Sequence, residues 1–161
     1  MSIIAHSSTE NTLQRGDAAH GCPRPFLVPR RGAALYLAAP LSTYNTPRYE
    51  WALLWLRTCA PPGVPIIHAR DAFTSTADWR ARWPAVLARL AGLVFIADEA
   101  GYIGAGVWRE MGDALAHGLP VLYLDDRGDV HPYHALHFGP ANADNWRRYR
   151  LVTLAAEGGA P

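Results

Sequence analysis

This 161-residue sequence lacks three features that would each have indicated a class of protein. It has only two cysteines, Cys22 and Cys59, without CxxC spacing, which excludes a framework of several disulfides and predicts reduced thiols. The net charge is +1, so the basic excess typical of duplex nucleic-acid binding is absent. No apolar run is long enough to cross a bilayer. We therefore expect a soluble, cytoplasmic protein with no membrane partner and a small-molecule ligand.

The first 31 residues differ in composition from the rest of the chain. They are polar, are interrupted by Gly21 and three prolines, and lack the sustained apolar segment of a signal peptide. A chain of this length usually forms one domain. The sequence thus predicts a flexible N-terminal arm over residues 1–31 and a single α/β domain over residues 32–161.

Within that domain, short apolar runs alternate with segments of helical periodicity. This alternation is typical of βαβ units, which build a parallel sheet with helices on both faces. We predict a three-layer Rossmann-like (flavodoxin-like) domain with a mostly parallel five-stranded sheet. Pro84 is expected to kink or split its helix, and residues 126–146 to form a long loop. The predicted strands are 33–39, 64–68, 93–97, 121–125 and 148–154, and the predicted helices are 47–60, 76–90 and 105–117.

One predicted helix places a carboxylate on the face expected to contact the sheet. Val107, Glu110, Met111 and Ala114 recur at i, i+3, i+4 and i+7, which is one side of a helix. Glutamate is almost never fully buried unless it is paired. Glu110 is therefore either a functional group or a surface residue in a slightly different register.

Polar and glycine-rich segments follow three of the predicted strands, at residues 40–46, 68–75 and 98–106. Ligands of open parallel sheets bind beyond the carboxyl ends of the strands, so we expect these segments to converge on one site. Gly104-Ala-Gly106 and the first N–H groups of the next helix are suited to hold an anion. They do not form a dinucleotide fingerprint, because the third glycine is missing, and no cofactor is expected.

Two motifs resemble a known family. Gly106-Val-Trp-Arg-Glu-Met-Gly112, followed by Gly118-Leu-Pro-Val121, resembles the Gly-Thr-x-x-Glu-x-Gly…Gly-Lys-Pro-Val signature of the nucleoside 2-deoxyribosyltransferase superfamily. The branch that hydrolyses 2′-deoxynucleoside 5′-monophosphates, with Gly-Val-x-x-Glu-x-Gly, is more similar still. The strand Ala34-Leu-Tyr-Leu-Ala-Ala-Pro40 resembles the opening strand of that superfamily. The resemblance covers roughly residues 33–125.

The resemblance implies roles for particular residues. Glu110 matches the nucleophile, Tyr36 the tyrosine that hydrogen-bonds the nucleophile or substrate, and Asp98 lies near the acid that assists departure of the base. It also implies a homo-oligomer whose subunits complete each other's sites, with Asn142 or Asn145 as candidates for donation. The predicted substrate-binding residues are Pro40, Ser42, Gly104, Gly106, Val107 and Trp108, the last lying over a nucleobase.

The chemistry implied is cleavage of an N-glycosidic bond, or deoxyribosyl transfer, on a nucleoside or nucleoside 5′-monophosphate. Breaking that bond builds positive charge on the sugar carbon, which a carboxylate can attack to form a glycosyl-enzyme intermediate. A second acid can protonate the leaving base. A tyrosine hydroxyl is a good donor for holding the attacking carboxylate.

Other interpretations stay open for the same residues. Asp98 could cap a turn at the end of a strand, and Tyr36 could simply fill the core. The segment Leu41-Ser-Thr43 lacks the basic residue of the hydrolase branch, and Arg82-Trp-Pro84 lacks a sugar-binding acid. A catalytically silent nucleotide-binding module is therefore one alternative. A phosphoribohydrolase is another, although its Pro-Gly-Gly start is missing.

A histidine-rich segment also invites a metal interpretation. His131, His134 and His137 are residue types that bind zinc, but their spacing fits no zinc pattern. We predict no metal site.

Overall fold

The computed structural model describes residues 33–140 and 149–153. The predicted arm over residues 1–31 lies outside the described residues, as do Asn142 and Asn145.

A five-stranded sheet forms the centre of the described fold, in the order β2-β1-β3-β4-β5. The first four strands are mutually parallel where they pair, and β5 is antiparallel to β4. Two further strands, β6 and β7, pair with each other as a separate antiparallel ribbon. The strands are β1 Ala34–Ala38, β2 Ile66–His68, β3 Leu90–Phe95, β4 Val121–Leu124, β5 Val130–Pro132, β6 Leu136–Pro140 and β7 Tyr149–Thr153.

Helices cover both faces of this sheet. The side chains of Leu35, Leu37, Val94 and Ile96 pack with the buried side of the first helix, and Tyr36, Leu93 and Phe95 pack with the third and fourth helices. Because successive strand residues point to opposite faces, one apolar strand supplies both layers. The helices are α1 Pro47–Cys59, α2 Ala69–Ala72, α3 Thr76–Leu87 and α4 Gly104–Ala116. The predicted Rossmann-like α/β class is confirmed.

Side-chain caps fix where α1 and α3 begin. The Thr46 hydroxyl accepts a hydrogen bond from the Tyr49 N–H, and Pro47 occupies the first helical position. The Ser75 hydroxyl likewise accepts from the Asp78 N–H. Both starts agree with the sequence prediction, and they set the positions of the side chains that these helices present to the sheet.

The prediction of the fifth strand of the sheet was wrong. The fifth strand of the sheet is Val130–Pro132 within the predicted loop, whereas Tyr149–Thr153 pairs with Leu136–Pro140. Of the two outcomes predicted for Pro84, the split does not occur, because α3 runs on to Leu87. Trp83 and Leu87, on either side of the proline, are both buried, and this packing outweighs the one backbone hydrogen bond that proline removes.

The thiol prediction also requires correction, because Cys59 is disulfide-bonded. Sequence spacing does not show whether folding places a cysteine close enough to another to form a disulfide bond, so this bond could not be predicted from the sequence. Cys22 lies outside the described residues.

In the described ranges, no helix has the length and apolar character needed to span a membrane.

Candidate active site

Glu110 lies on the inner face of α4, as the periodicity of that helix predicts. Its side chain is 4% exposed, and it is buried together with Val107, Met111 and Ala114. Among the described residues it is the one buried carboxylate. The alternative of a surface residue in a different register is therefore excluded, and the burial requires specific partners.

Two donors from different elements hold the same oxygen of this carboxylate. The Tyr36 hydroxyl on β1 donates to Glu110 Oε1 at 2.7 Å. The Trp79 indole N–H on α3 donates to Oε1 at 2.8 Å. Both distances are typical of strong hydrogen bonds to a charged acceptor. Strand β1 and helices α3 and α4 thus meet at one atom.

The second oxygen, Glu110 Oε2, is left open. It has no hydrogen-bond partner among the described residues, because both hydrogen bonds that the Glu110 side chain accepts end on Oε1. No polar side-chain atom in the described ranges is both fully buried and unpaired. Oε2 must therefore reach open space, and the space that Glu110 borders is a cavity.

Burial raises the pKa values of both Glu110 and Tyr36. Loss of solvation raises the pKa of Glu110 to about 7, against the opposing hydrogen bonds from Tyr36 and Trp79. Loss of solvation, and then the nearby charge of Glu110, raise the pKa of Tyr36 far above its ordinary value. Tyr36 therefore remains a donor over the whole working range of pH, while Glu110 titrates near neutrality.

The cavity beside Glu110 has a volume of about 620 Å³. Small-molecule sites commonly have volumes of roughly 300–1,000 Å³. It lies beyond the carboxyl ends of β1 and β3, where the strand order reverses and where ligands of such sheets bind. The predicted site residues that line it are Pro40, Ser42, Asp98, Gly104, Gly106, Val107 and Glu110. Tyr36 does not line the cavity and lies behind Glu110, to which it donates a hydrogen bond.

Asp98 organises the loop that follows β3. Its Oδ1 accepts from the N–H groups of Ala100 at 3.1 Å and Tyr102 at 2.9 Å, and its Oδ2 accepts from the Ser42 hydroxyl at 3.3 Å. These contacts correspond to the turn-capping interpretation. Asp98 also borders the same cavity as Glu110.

The glycines at the start of α4 bring the backbone to the cavity wall. Gly104 has φ +64°, a conformation that side chains with a Cβ rarely adopt, so glycine is required at this turn. A Cβ at Gly106 would meet nothing within 4 Å. The residue before the helix, Ile103, supplies no side-chain cap for the first N–H groups. A ligand in the cavity can therefore reach the first backbone N–H groups of α4, as the sequence predicts.

The tryptophan beside the cavity is Trp79, and the prediction that Trp108 lies over a nucleobase is not supported. Trp108 does not border the cavity and packs edge-on against Phe138, with ring centroids 5.1 Å apart. Helical position explains the error, because residue 108 follows Val107 and its side chain is turned away from the face that carries Glu110. Trp79 lines the cavity, a position the sequence did not single out.

Arg70 is a second cavity residue that sequence reasoning missed. Its guanidinium forms ion pairs with Glu50 and, at 3.1 Å, with Asp71. It also lies over the Tyr49 ring, 4.6 Å from the centroid. Its position two residues after the end of β2 was the available signal, since the ends of β1, β2 and β3 meet at this edge of the sheet. Two carboxylates already balance its charge.

The histidine-rich segment has a structural role where it is described. His131 Nε2 lies 2.9 Å from Asp125 Oδ2, across the turn between β4 and β5. Within the described ranges, no group of three or more His, Cys, Asp or Glu side chains is arranged to hold a metal ion.

Comparison with known proteins leaves the family undetermined. No family model matches this chain, and no curated protein matches it. One solved structure that resembles it is a "conserved protein from Enterococcus faecalis V583", 21% identical over 70% of this chain and 69% of that one, with a TM-score of 0.41. That degree of likeness carries no argument about function, which must come from the site itself.

Proposed function

We propose that this protein cleaves the N-glycosidic bond of a nucleoside or nucleoside 5′-monophosphate, with Glu110 as the nucleophile. The observation that carries the proposal is a buried carboxylate with one oxygen fixed by two donors and the other open to a nucleoside-sized cavity. Burying a carboxylate costs stability, so such an arrangement is characteristic of functional sites. The resemblance of the Gly106–Gly112 motif to the nucleoside 2-deoxyribosyltransferase superfamily supports the same chemistry.

The proposed reaction has two steps. Glu110 Oε2 forms a bond to the sugar C1′ while the bond from C1′ to the base nitrogen breaks, and its electron pair leaves with the base. The base takes up a proton at that nitrogen. Water then attacks C1′, releases one proton and regenerates the carboxylate, so that the products are free sugar and free base. In transfer, the nitrogen of a second base replaces water.

The hydrogen bonds to Glu110 suit this reaction, because they involve one carboxylate oxygen and leave the other to attack. Tyr36 and Trp79 stabilise charge on Oε1, while Oε2 keeps lone pairs free for attack. Because burial raises the pKa of Glu110 to about 7, the reactive carboxylate is formed as the pH rises through neutrality. Asp98 stays the candidate for protonating the leaving base, since it borders the same cavity.

The charges around the cavity favour a nucleoside over a nucleoside monophosphate within this proposal. Arg70 is the one Arg or Lys among the described residues that line the cavity, and it is already paired with Glu50 and Asp71. Asp98 and Glu110 add negative charge to the same wall. A phosphate would depend on the N–H groups at the start of α4 and would have to compete for Arg70.

The direct test is release of free base from a panel of purified compounds. The panel contains ribonucleosides, 2′-deoxynucleosides and their 5′-monophosphates, each incubated with wild-type protein and with Glu110→Ala. We expect base release by the wild type and loss of at least about a thousandfold in the variant, as expected on removal of a nucleophile. Binding without release by the wild type would support the silent nucleotide-binding module. Equal rates would eliminate Glu110 as the nucleophile.

Assembly and location are further parts of the proposal. Leu41 borders the cavity with 80% of its side chain exposed, a position where a neighbouring subunit could cover it. We propose a homo-oligomer, which light scattering coupled to size exclusion would reveal as a mass above 17.6 kDa. A cytoplasmic location, where nucleosides and nucleotides are abundant, stays a prediction.

A further inference from the structure

We propose that Trp79 is a positioning residue for Glu110: its indole N–H and the Tyr36 hydroxyl together fix Oε1, so that Oε2 is the oxygen that reacts. The inference rests on the proposed function for its chemical meaning. Neither the sequence motifs nor the comparisons assign a role to this residue. Trp79 lies 31 positions before Glu110, on a different helix, and its N–H is 2.8 Å from Oε1.

The position of the Trp79 ring does not depend on the hydrogen bond alone. The ring stacks on Trp83 with centroids 6.0 Å apart and planes at 20°. The guanidinium of Arg109 lies 5.4 Å from the ring centroid. At the start of the helix, Ser75 caps α3 and its carbonyl accepts from the Trp79 N–H of the backbone at 2.9 Å. The donor is therefore placed before any substrate arrives, which is the condition for preorganisation.

The two hydrogen-bond donors on Glu110 Oε1 together keep the carboxylate from rotating. A single donor would let the carboxylate rotate about its last bond and exchange its two oxygens. Donors from β1 and α3 approach Oε1 from separate elements, so exchange would break both bonds at once. An indole N–H is a donor only and does not titrate, so this contact persists at every pH. Loss of Trp79 should consequently affect the rate of attack more than the binding of substrate.

The fold supplies a matched control on the same two helices. The Trp83 indole N–H donates to Asp113 Oδ2 at 2.8 Å, one turn along α3 and α4 from the Trp79–Glu110 contact. Trp79→Phe and Trp83→Phe thus each remove one indole donor from one carboxylate. A Phe ring at position 83 keeps an aromatic face against Trp79 and Tyr36, and Glu110 keeps both of its donors, so this variant reports the structural cost of the change.

The first measurement is the pH dependence of base release by these two variants. Trp79→Phe should lower kcat about tenfold with a smaller change in KM, and move the acid limb of the profile upward by about one pH unit. The titratable groups around Glu110 are Tyr36 on β1, Tyr44 near the cavity and Asp113 on α4, and all three remain. Trp83→Phe should keep the wild-type midpoint. A rise in KM alone with an unmoved midpoint would overturn the positioning role.

The second measurement needs no substrate and so separates this inference from the proposed function. In ¹⁵N–¹H spectra, the indole signals of Trp79 and Trp83 can be identified among those of the six tryptophans by comparing each Phe variant with wild type. The Trp79 indole signal should shift with a midpoint near pH 7 and lose that shift in Glu110→Gln, whereas the Trp83 signal should not follow Glu110. A Trp79 signal that ignores Glu110 overturns the inference even if the enzyme is active. A signal that follows it supports the contact even if no base is released.

Discussion

Removing the charge of Glu110 should stabilise the fold at alkaline pH while abolishing base release. In Glu110→Gln, the amide Oε1 can still accept from Tyr36 and Trp79, and the NH₂ group takes the position of Oε2 at the cavity. Burial moves the pKa of Glu110 from 4.5 to about 7 in the folded protein. That difference corresponds to roughly 3 kcal/mol of stability that the wild type loses when the buried carboxyl ionises.

The stability of the wild-type fold falls with rising pH because the folded protein holds the Glu110 proton more tightly than the unfolded chain does. Between about pH 4.5 and 7 the folded protein keeps the Glu110 proton while the unfolded chain has released it, so wild-type stability falls as the pH rises through this window. Above about pH 7 the loss is complete. Glu110→Gln has no such group, so its advantage over wild type should grow by roughly 2 to 3 kcal/mol between pH 5 and pH 8.

Urea unfolding of both proteins at several pH values measures this difference. His68, whose pKa is lowered by burial, titrates in both proteins and cancels. Glu99→Gln is the matched control, because it removes a carboxylate that is exposed and should give no comparable growth with pH. A difference between Glu110→Gln and wild type that stays flat from pH 5 to pH 8 would refute the claim that Glu110 is buried with a raised pKa.

Three further predictions concern the contacts around the cavity. Tyr36→Phe removes a hydrogen bond to a charged acceptor and should lower kcat/KM about ten- to a hundredfold in steady-state assays of base release; an unchanged rate would mean that Trp79 alone suffices. Gly106→Leu should fill the cavity and prevent ligand binding in calorimetry, whereas Gly112→Leu on the exposed side of α4 should bind normally; equal binding by both would place the ligand elsewhere. Asp98→Asn keeps an oxygen for the backbone N–H groups but loses the acidic proton, so it should lower kcat about a hundredfold or more, whereas a loss of less than about tenfold would leave Asp98 with the turn-capping role alone.

The sheet and the inward position of Glu110 were predictable because they depend on local patterns. Apolar runs define β1 and β3, and the i, i+3, i+4 spacing in α4 places Glu110 beside Met111 on the buried face. The caps at Thr46 and Ser75 follow from side-chain chemistry within three residues. Each of these features is encoded in a short segment of the sequence.

Features that depend on packing between distant segments were not predictable in the same way. Strand β5 is three residues long and contains His131 and Pro132, so it shows no alternation to recognise. The indole of Trp79 could have faced the core or the cavity from the same helical position. Only the meeting of β1, α3 and α4 in space decides that it contacts Glu110.

Trapping the proposed covalent intermediate tests the central claim most directly. A deoxynucleoside analogue with fluorine at the sugar C2′ slows both steps by destabilising positive charge on C1′, so the glycosyl-enzyme should accumulate. Peptide mass spectrometry should then find the added sugar mass on Glu110 in the wild type and in no peptide of Glu110→Gln. Release of base from unmodified substrate by Glu110→Gln at the wild-type rate, or sugar attached to another residue, would contradict the account.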